Sequence, residues 1–280
     1  MSAQIINGKD IAAALRQDIA KRVSALPDKS GLAVILVGDN PASHIYVSSK
    51  IKACAEVGIV SYEHALPASA TETDIRHVIQ NLNVNPKIHG ILLQLPLPDH
   101  LAGVQESLVQ AIAPNKDVDG LTITNAGKLF LGMKDGMVPC TPQGSLRLIK
   151  SVRENLSGLK AVVIGRSNLF GKPMAQLLLA EHCTVTTAHS KTSDLPALCR
   201  SADILVCAIG KPRLVKAEWV KPGAIVIDVG INRLETGKIC GDVDFDSVQQ
   251  VAGYITPVPG GVGPMTIACL LLNTLNAASA

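Results

Sequence analysis

Tyr46 and Lys50 stand four residues apart in the stretch YVSSK, so on a helix they share one face. A phenol and an amine on one face can do proton chemistry. A Lys drawn out of water has a lowered pKa and can take a proton near neutral pH. Three further segments carry polar residues where a core would not place them. Gln94 interrupts the apolar run GILLQLPLP. Asp117 and Asp119 flank a Val in KDVDG. TPVPGGVGPMT, residues 256–266, is a Pro/Gly loop whose backbone can approach a flat ligand closely. Each has a plain structural alternative. Gln94 can satisfy a neighbouring backbone group, the Asp pair can build a turn, and the Pro/Gly loop can be a crossing between domains.

A second kind of chemistry is written after residue 159. The run 160–164 reads as a strand and leads into GRSNLFGKPMAQLLL. A glycine directly after a strand, with another opening a helix, is the geometry of a dinucleotide-binding turn. Gly165 and Gly171 fill two of its positions. Ser167 takes the middle one, and the spacing is longer than G-x-G-x-x-G. The next strand ends in TTAHSKT without the Asp or Glu that holds a ribose 2′-hydroxyl in NAD sites. Ser190 and Lys191 stand there instead, with Arg166 in the glycine turn. A cationic, hydroxylic rim fits a 2′-phosphate, hence NADP. The structural alternative is a solvated loop.

The elements that must position these residues alternate strand and helix. DIAAALRQDIAKRVSAL spaces its apolar residues as a helix. LAVILVG is a buried strand. A helix opens at Pro41 and Ser43, reaches about Val57 and stops at Gly58. GIVSYEHAL is a strand, and Thr71 with Asp74 can cap the helix after it. A third strand is broken by the prolines of QLPLP. The pattern lapses from residue 114 to VPCTPQG, where Thr141 can cap a helix with Pro142 in its first turn. LKAVVIG, CTVTTAHS, ADILVCAIG and GAIVIDVG then form a second series. A last helix starts near Pro264. The expected fold is α/β, with two α/β domains. The second is a Rossmann-like doubly wound parallel sheet. The C-terminal helix, 264–280, returns to the first domain. The boundaries fall at 1–140 and 141–263.

Composition narrows the function classes. The 280 residues are 47% hydrophobic but only 2% aromatic, so the cores are aliphatic. Net charge is +3 with no dense basic run, and aromatic stacking platforms are absent, which argues against nucleic acid. The N-terminus shows no signal peptide, and no apolar run reaches the ~18 residues that span a bilayer. Seven scattered cysteines without a C-x-x-C pair suit reduced thiols in a cytoplasmic protein. None of the seven histidines is needed for the chemistry above, and no metal is assigned.

The order of the two chemistries excludes one enzyme class. In short-chain dehydrogenases the glycine turn precedes the Tyr/Lys pair within one domain. Here the pair comes more than a hundred residues before the turn. Taken together, VGDNPASHIYVSSKIKACAEVGI, GILLQLPLP, KDVDG, PCTPQG, IGRSNLFGKPMA and PVPGGVGPMTIACLLLNT resemble the successive motifs of the bifunctional methylenetetrahydrofolate dehydrogenase/methenyltetrahydrofolate cyclohydrolase family. The resemblance covers nearly the whole chain. Two departures stand out: Phe170 replaces a small aliphatic residue before Gly171, and DVDGLTITN replaces DVDGFHP.

The resemblance implies oxidation of 5,10-methylenetetrahydrofolate with NADP⁺, then hydrolysis of the methenyl product to 10-formyltetrahydrofolate. It implies Lys50 as base, Gln94 orienting it, and Tyr46 packing on the folate. Asp119 would accept the pterin's paired donors. Gly260, Gly261, Val262 and Gly263 would line the folate site. Gly165, Arg166, Ser167, Gly171, Ser190, Lys191, Thr141 and Ile231 would hold NADP. A homodimer is implied, with a small-molecule folate substrate and no membrane or nucleic-acid partner. Two other readings stand beside this one: another two-domain NADP dehydrogenase, similar to shikimate dehydrogenase, and a noncatalytic nucleotide-binding module.

Overall fold

The computed structural model describes residues 2–279, the side chain of Ala42 excepted. The chain runs β1 (Gln4–Ile5), α1 (Gly8–Ser24), β2 (Gly31–Val37), α2 (Pro41–Val57), β3 (Val60–Leu66), α3 (Glu72–Val84) and β4 (Gly90–Leu93). Helices α4 (Gln105–Gln110), α5 (Ile123–Phe130) and α6 (Cys140–Val152) follow. Next come β5 (Lys160–Ile164), α7 (Gly171–Ala180), β6 (Thr184–Ala188), α8 (Leu195–Arg200), β7 (Ile204–Cys207) and β8 (Ile225–Asp228). The chain closes with β9 (Asn232–Arg233), β10 (Ile239–Cys240), α9 (Phe245–Val248), β11 (Tyr254–Ile255) and α10 (Val262–Ala278). It divides into two compact units, one of Ala13–Cys140 with Ile267–Ala280, the other of Met1–Ala12 with Thr141–Thr266.

In the first of these units three parallel strands lie in the order β3-β2-β4. Every residue of β2, GLAVILV, is buried, as expected for a central parallel strand covered on both faces. Ile35, Ile75, Ile79, Ile91, Leu93 and Leu108 pack into one aliphatic cluster. Removing each such side chain from water contributes ~1.5–3 kcal/mol. The punctuation works locally. Pro41 opens α2, and Gly58, with φ +84°, ends it. Thr71 and Asp74 form a reciprocal capping box on α3. The KDVDG segment runs beside β4, where Asp117 bridges Ile91 and the Ile91 amide donates to the Lys116 carbonyl at 2.8 Å. From α10, Asn273 Nδ2 donates to the carbonyls of Val118 (2.8 Å) and Val138 (2.9 Å), which ties the C-terminal helix into this unit.

The other unit holds six parallel strands in the order β1-β11-β8-β7-β5-β6. Numbered from β5, its main strands read 2-1-3-4-5, a doubly wound order whose switch point lies between β5 and β7. Val162, Ile164, Leu205, Cys207, Val226 and Ile255 form its core. Residues 1–12 were expected with the first half of the chain. Instead the Gln4 amide donates to the Gly253 carbonyl at 2.9 Å, and that of Ile6 to Ile255 at 2.8 Å. A two-residue strand carries no periodic signal, so nothing local announced it. Two helix starts also differ from expectation. Helix α6 begins at Cys140, so Thr141 lies inside it rather than capping it, and α10 begins at Val262. All seven cysteines are free and buried.

Candidate active site

Open α/β sheets take ligands beyond the carboxyl ends of their strands, where strand order reverses. In the three-strand unit that point lies between β2 and β4, and Gln94 is the first residue past β4. Its amide nitrogen continues the ladder to the Ile35 carbonyl at 2.9 Å. Its side chain is held at both ends. Nε2 donates to the Leu95 carbonyl at 2.7 Å, which leaves Oε1 to accept from Lys50 Nζ at 2.9 Å. The polar interruption of an apolar strand is therefore an orienting group for the amine on α2.

Lys50 is half-buried, and burial lowers its pKa from the usual lysine value; the charge of Asp119 opposes that effect. Burial raises the Asp119 carboxyl, and Lys50 pulls it back down. Two thiols complete the cluster. Cys140 donates to the Val118 carbonyl at 3.3 Å and lies against Asp119, and burial pushes it well above the usual thiol range. Cys54, one turn beyond Lys50 on α2, is pushed up to about 12 by burial. Both are neutral thiols and serve as packing, not nucleophiles. Tyr46 sits one turn before Lys50 on α2 and is 45% exposed, so its ring is open to a ligand.

Asp117, unlike Asp119, is fully engaged. Its carboxylate accepts from the amides of Leu121 (3.1 Å) and Thr122 (2.8 Å) and from Asn125 Nδ2 (2.8 Å). Thr122 in turn caps α5 through the Asn125 amide at 3.4 Å. The residues peculiar to DVDGLTITN thus build the turn that presents Asp119. The two carboxylates of KDVDG divide into a turn-former and a half-buried group with a raised pKa.

In the six-strand unit the glycine turn leaves β5 at the switch point. Gly165 has φ +132°, and a Cβ on it would overlap the Ala208 carbonyl of the loop after β7. A Cβ on Gly171 would overlap the Gly165 carbonyl. Both glycines are required by close backbone approach, the use they have in a pyrophosphate-binding turn. Ser167 Oγ accepts from the amides of Phe170 (3.2 Å) and Gly171 (3.4 Å), so it holds the turn that leads into α7 and keeps its hydroxyl proton to donate. Phe170 is buried at 6% exposure, so its ring belongs to the core and leaves the face of the turn clear. Arg166, Ser190 and Lys191 lie just past the ends of β5 and β6, and all three are exposed. The loop bearing the last two is ordered by His189, whose amide donates to Thr192 Oγ1 at 2.9 Å and whose Nδ1 accepts from the Lys191 amide at 3.1 Å. Thr141 Oγ1 accepts from Thr266 Oγ1 at 3.1 Å, and Ile231 is exposed. In the Pro/Gly loop Gly260 has φ +104°, a Cβ on Gly261 would strike Pro257 and Thr256, and Gly263 faces open space. Among the described residues no three His, Cys, Asp or Glu gather as metal ligands, and no helix is long and apolar enough to cross a membrane.

The structure thus brings Lys50, Gln94 and Asp119 together in one unit, with Tyr46 a turn away. It gathers Gly165, Arg166, Ser167 and Gly171 at the switch point of the other. The class these define is a nicotinamide-nucleotide dehydrogenase with a separate Lys-bearing unit. Residues 6–119 match the family model of the tetrahydrofolate dehydrogenase/cyclohydrolase catalytic domain, and residues 139–280 match that of its NAD(P)-binding domain. The chain belongs to the tetrahydrofolate dehydrogenase/cyclohydrolase family. The bifunctional protein FolD of Geobacillus thermodenitrificans (strain NG80-2) is 56% identical over 281 residues, covering 99% of this chain and 98% of that relative. The FolD methylenetetrahydrofolate dehydrogenase/cyclohydrolase structure from Campylobacter jejuni has a TM-score of 0.97 at 47% identity, covering 99% of both chains. The Trypanosoma brucei structure, a complex with NADP cofactor and inhibitor, has a TM-score of 0.94 at 37% identity, covering 100% of this chain and 98% of that one. The family match removes the shikimate dehydrogenase-like and noncatalytic readings.

Proposed function

We propose that Lys50, Gln94, Tyr46 and Asp119 carry both reactions of this enzyme on one bound folate. The enzyme oxidises 5,10-methylenetetrahydrofolate to the methenyl form with NADP⁺ and hydrolyses that product to 10-formyltetrahydrofolate. The observation that carries the assignment of roles is the Lys50–Gln94 hydrogen bond at 2.9 Å beside a half-buried carboxyl, at the carboxyl ends of β2 and β4. Bound NADP⁺ supplies a hydride acceptor. For that step the protein's task is alignment. Tyr46 offers its ring to the folate, and Gly260, Gly261, Val262 and Gly263 line its site with backbone. Asp119 accepts the paired N–H donors of the pterin edge.

Hydrolysis asks for more than alignment. Water attacking the cationic methenyl carbon must lose a proton. The neutral form of Lys50, favoured by burial, accepts that proton. Gln94 Oε1 takes one N–H of the amine and so aims the nitrogen lone pair away from itself. The same ammonium then returns a proton to the leaving ring nitrogen as the tetrahedral adduct opens, and the adduct's hydroxyl proton is lost to solvent as the formyl carbonyl forms.

Arg166, Ser190 and Lys191 select NADP⁺ over NAD⁺ through the 2′-phosphate, with Gly165, Ser167 and Gly171 at the pyrophosphate and Thr141 and Ile231 nearer the nicotinamide. The enzyme works in the cytoplasm as a homodimer, and its product suits formyl transfer in purine biosynthesis. The unit of Ala13–Cys140 with Ile267–Ala280 acts as the folate-binding domain and that of Met1–Ala12 with Thr141–Thr266 as the NADP-binding domain. The test is spectroscopic: NADPH appearance and loss of the methenyl absorbance are followed separately in one reaction. Folate-dependent NADPH formation with no methenyl hydrolysis above the solvent rate would refute the bifunctional assignment. A native mass near 29.3 kDa, rather than about twice that, would refute the dimer.

A further inference from the structure

Two buried carboxylates have no part in the chemistry above. Asp228, at the end of β8, and Asp242, after β10, are 3% and 0% exposed. Asp242 Oδ2 accepts from the amides of Ile209 (2.5 Å) and Gly210 (3.0 Å). Its Oδ1 accepts from the Lys211 amide and from Asn232 Nδ2, both at 2.9 Å. Asp228 holds the strand segment that bears Asp242. Its Oδ1 accepts from the Asp242 amide (2.9 Å) and the Gly230 amide (3.1 Å), and its Oδ2 from the Val243 amide (2.9 Å). Asp228's own amide donates to Thr256 Oγ1 at 2.8 Å. A Cβ on Gly230 would strike Asp242, and one on Gly241 would strike Asp228, so the two glycines make room for the pair.

The two loops held this way leave the carboxyl ends of β7 and β8, and the first of them runs against the Gly165 turn at Ala208. Three consecutive amides on one carboxylate fix residues 209–211 as a rigid nest. Residues 230 and 232 are each tied to one of the two acids, and Ile231 between them is 56% exposed. Solvent or a hydroxyl could satisfy these amides at less expense. Burying a charge costs several kcal/mol even when it is well hydrogen-bonded. Asp228 shows that cost: burial pushes its carboxyl up to about 7 against three backbone donors.

We propose that Asp242, anchored by Asp228, is a positioning residue for the cofactor: it locks 209–211 and 230–232 so that Ile231 is held against the nicotinamide end of the bound dinucleotide. The proposal rests on the cofactor reading above. Asp242→Asn keeps the shape and replaces one acceptor with a donor facing backbone N–H groups. The variant should show an NADP⁺ Kd at least tenfold weaker by calorimetry. It should show faster hydrogen exchange at the amides of Ile209, Gly210 and Lys211 without ligand. Its dehydrogenase-to-cyclohydrolase ratio, the latter measured on added methenyltetrahydrofolate without NADP⁺, should fall at least tenfold. An NADP⁺ Kd within twofold of wild type overturns the proposal, and so does an equal loss of both activities. Should Asp242→Asn not fold, Asn232→Ala, which removes one leg of the clamp, decides: unchanged NADP⁺ affinity overturns it, and weakened affinity with an unchanged melting temperature supports it. Failure of the wild type to bind NADP⁺ would instead sink the cofactor reading, and the exchange difference at 209–211 would remain visible.

Discussion

At the scale of residues, the site turns on how burial changes two charges. Lys50 has a lowered pKa and Asp119 a raised one, each from loss of water, and each partly restored by the other's charge. Lys50→Met keeps much of the stem and deletes the amine. Cyclohydrolase activity should fall by ~10²–10⁴-fold, the range of a positioned acid/base group, and dehydrogenase activity by less, so methenyl product accumulates in the coupled assay. If the neutral amine of Lys50 is the working base, wild-type cyclohydrolase rate should fall as pH drops through its lowered pKa. If Asp119 reads the pterin edge as an anion, its raised pKa means the folate KM should rise as pH falls toward it. Asp119→Ala should remove that pH dependence and raise the folate KM while NADP⁺ binding, measured by titration, stays intact. Arg166→Ala should weaken NADP⁺ by roughly tenfold to a hundredfold, the ~1.5–3 kcal/mol of a charge-assisted bond, and leave NAD⁺ nearly unchanged. Equal losses for the two cofactors would remove Arg166 from the 2′-phosphate. The shared helix of Tyr46 and Lys50 and the odd polarity of Gln94 were legible because they lie in local spacing and in a polar break of an apolar run. Cys54 and Cys140 beside the amine, and the Asp228–Asp242 relay, were not. Their partners lie far along the chain, and only packing brings them together.

At the scale of elements, the two glycine-rich segments make opposite demands. In the turn after β5, Gly165 has φ +132° and no room for a side chain beside the Ala208 carbonyl. Gly165→Ala should therefore cost ~1–3 kcal/mol of stability in urea unfolding and weaken NADP⁺ as well. Gly263, one residue into α10, has nothing within 4 Å of an added Cβ. A helical Gly→Ala change usually stabilises by ~0.5–1 kcal/mol. Gly263→Ala should leave the urea midpoint unchanged or raise it, yet raise the folate KM if this backbone lines the folate site. An unchanged KM would return Gly263 to a purely structural role. Helices with chemical punctuation were readable for the same local reason: Pro41 and Gly58 bound α2, and Thr71 with Asp74 begin α3. Strands β1 and β11 were not, because two residues give no alternation and their pairing is settled by register with β8.

At the scale of the whole chain, strand–helix alternation made the α/β class and two α/β units legible, because parallel strands need helical crossovers. The order in which the strands lie was not legible. The 2-1-3-4-5 arrangement of the large sheet depends on which crossover goes which way, and hydrophobic periodicity is the same for either direction. That order places the Gly165 turn beside the loop after β7, at the switch point where a doubly wound sheet would take a dinucleotide. A ligand that binds only the folded state stabilises it by RT ln(1 + [L]/Kd), about 2.7 kcal/mol at a hundredfold excess over Kd. NADP⁺ at that excess should slow hydrogen exchange at the amides of Gly165–Leu178 and of residues 207–211, in strands and loops that open only with their sheet. A tetrahydrofolate substrate analogue alone should instead slow exchange around Lys50, Gln94 and Asp119. Protection of the Lys50 helix by NADP⁺ with none at the Gly165 turn would move the cofactor away from the switch point, and Arg166, Ser167 and Asp242 would then lose their roles in holding it.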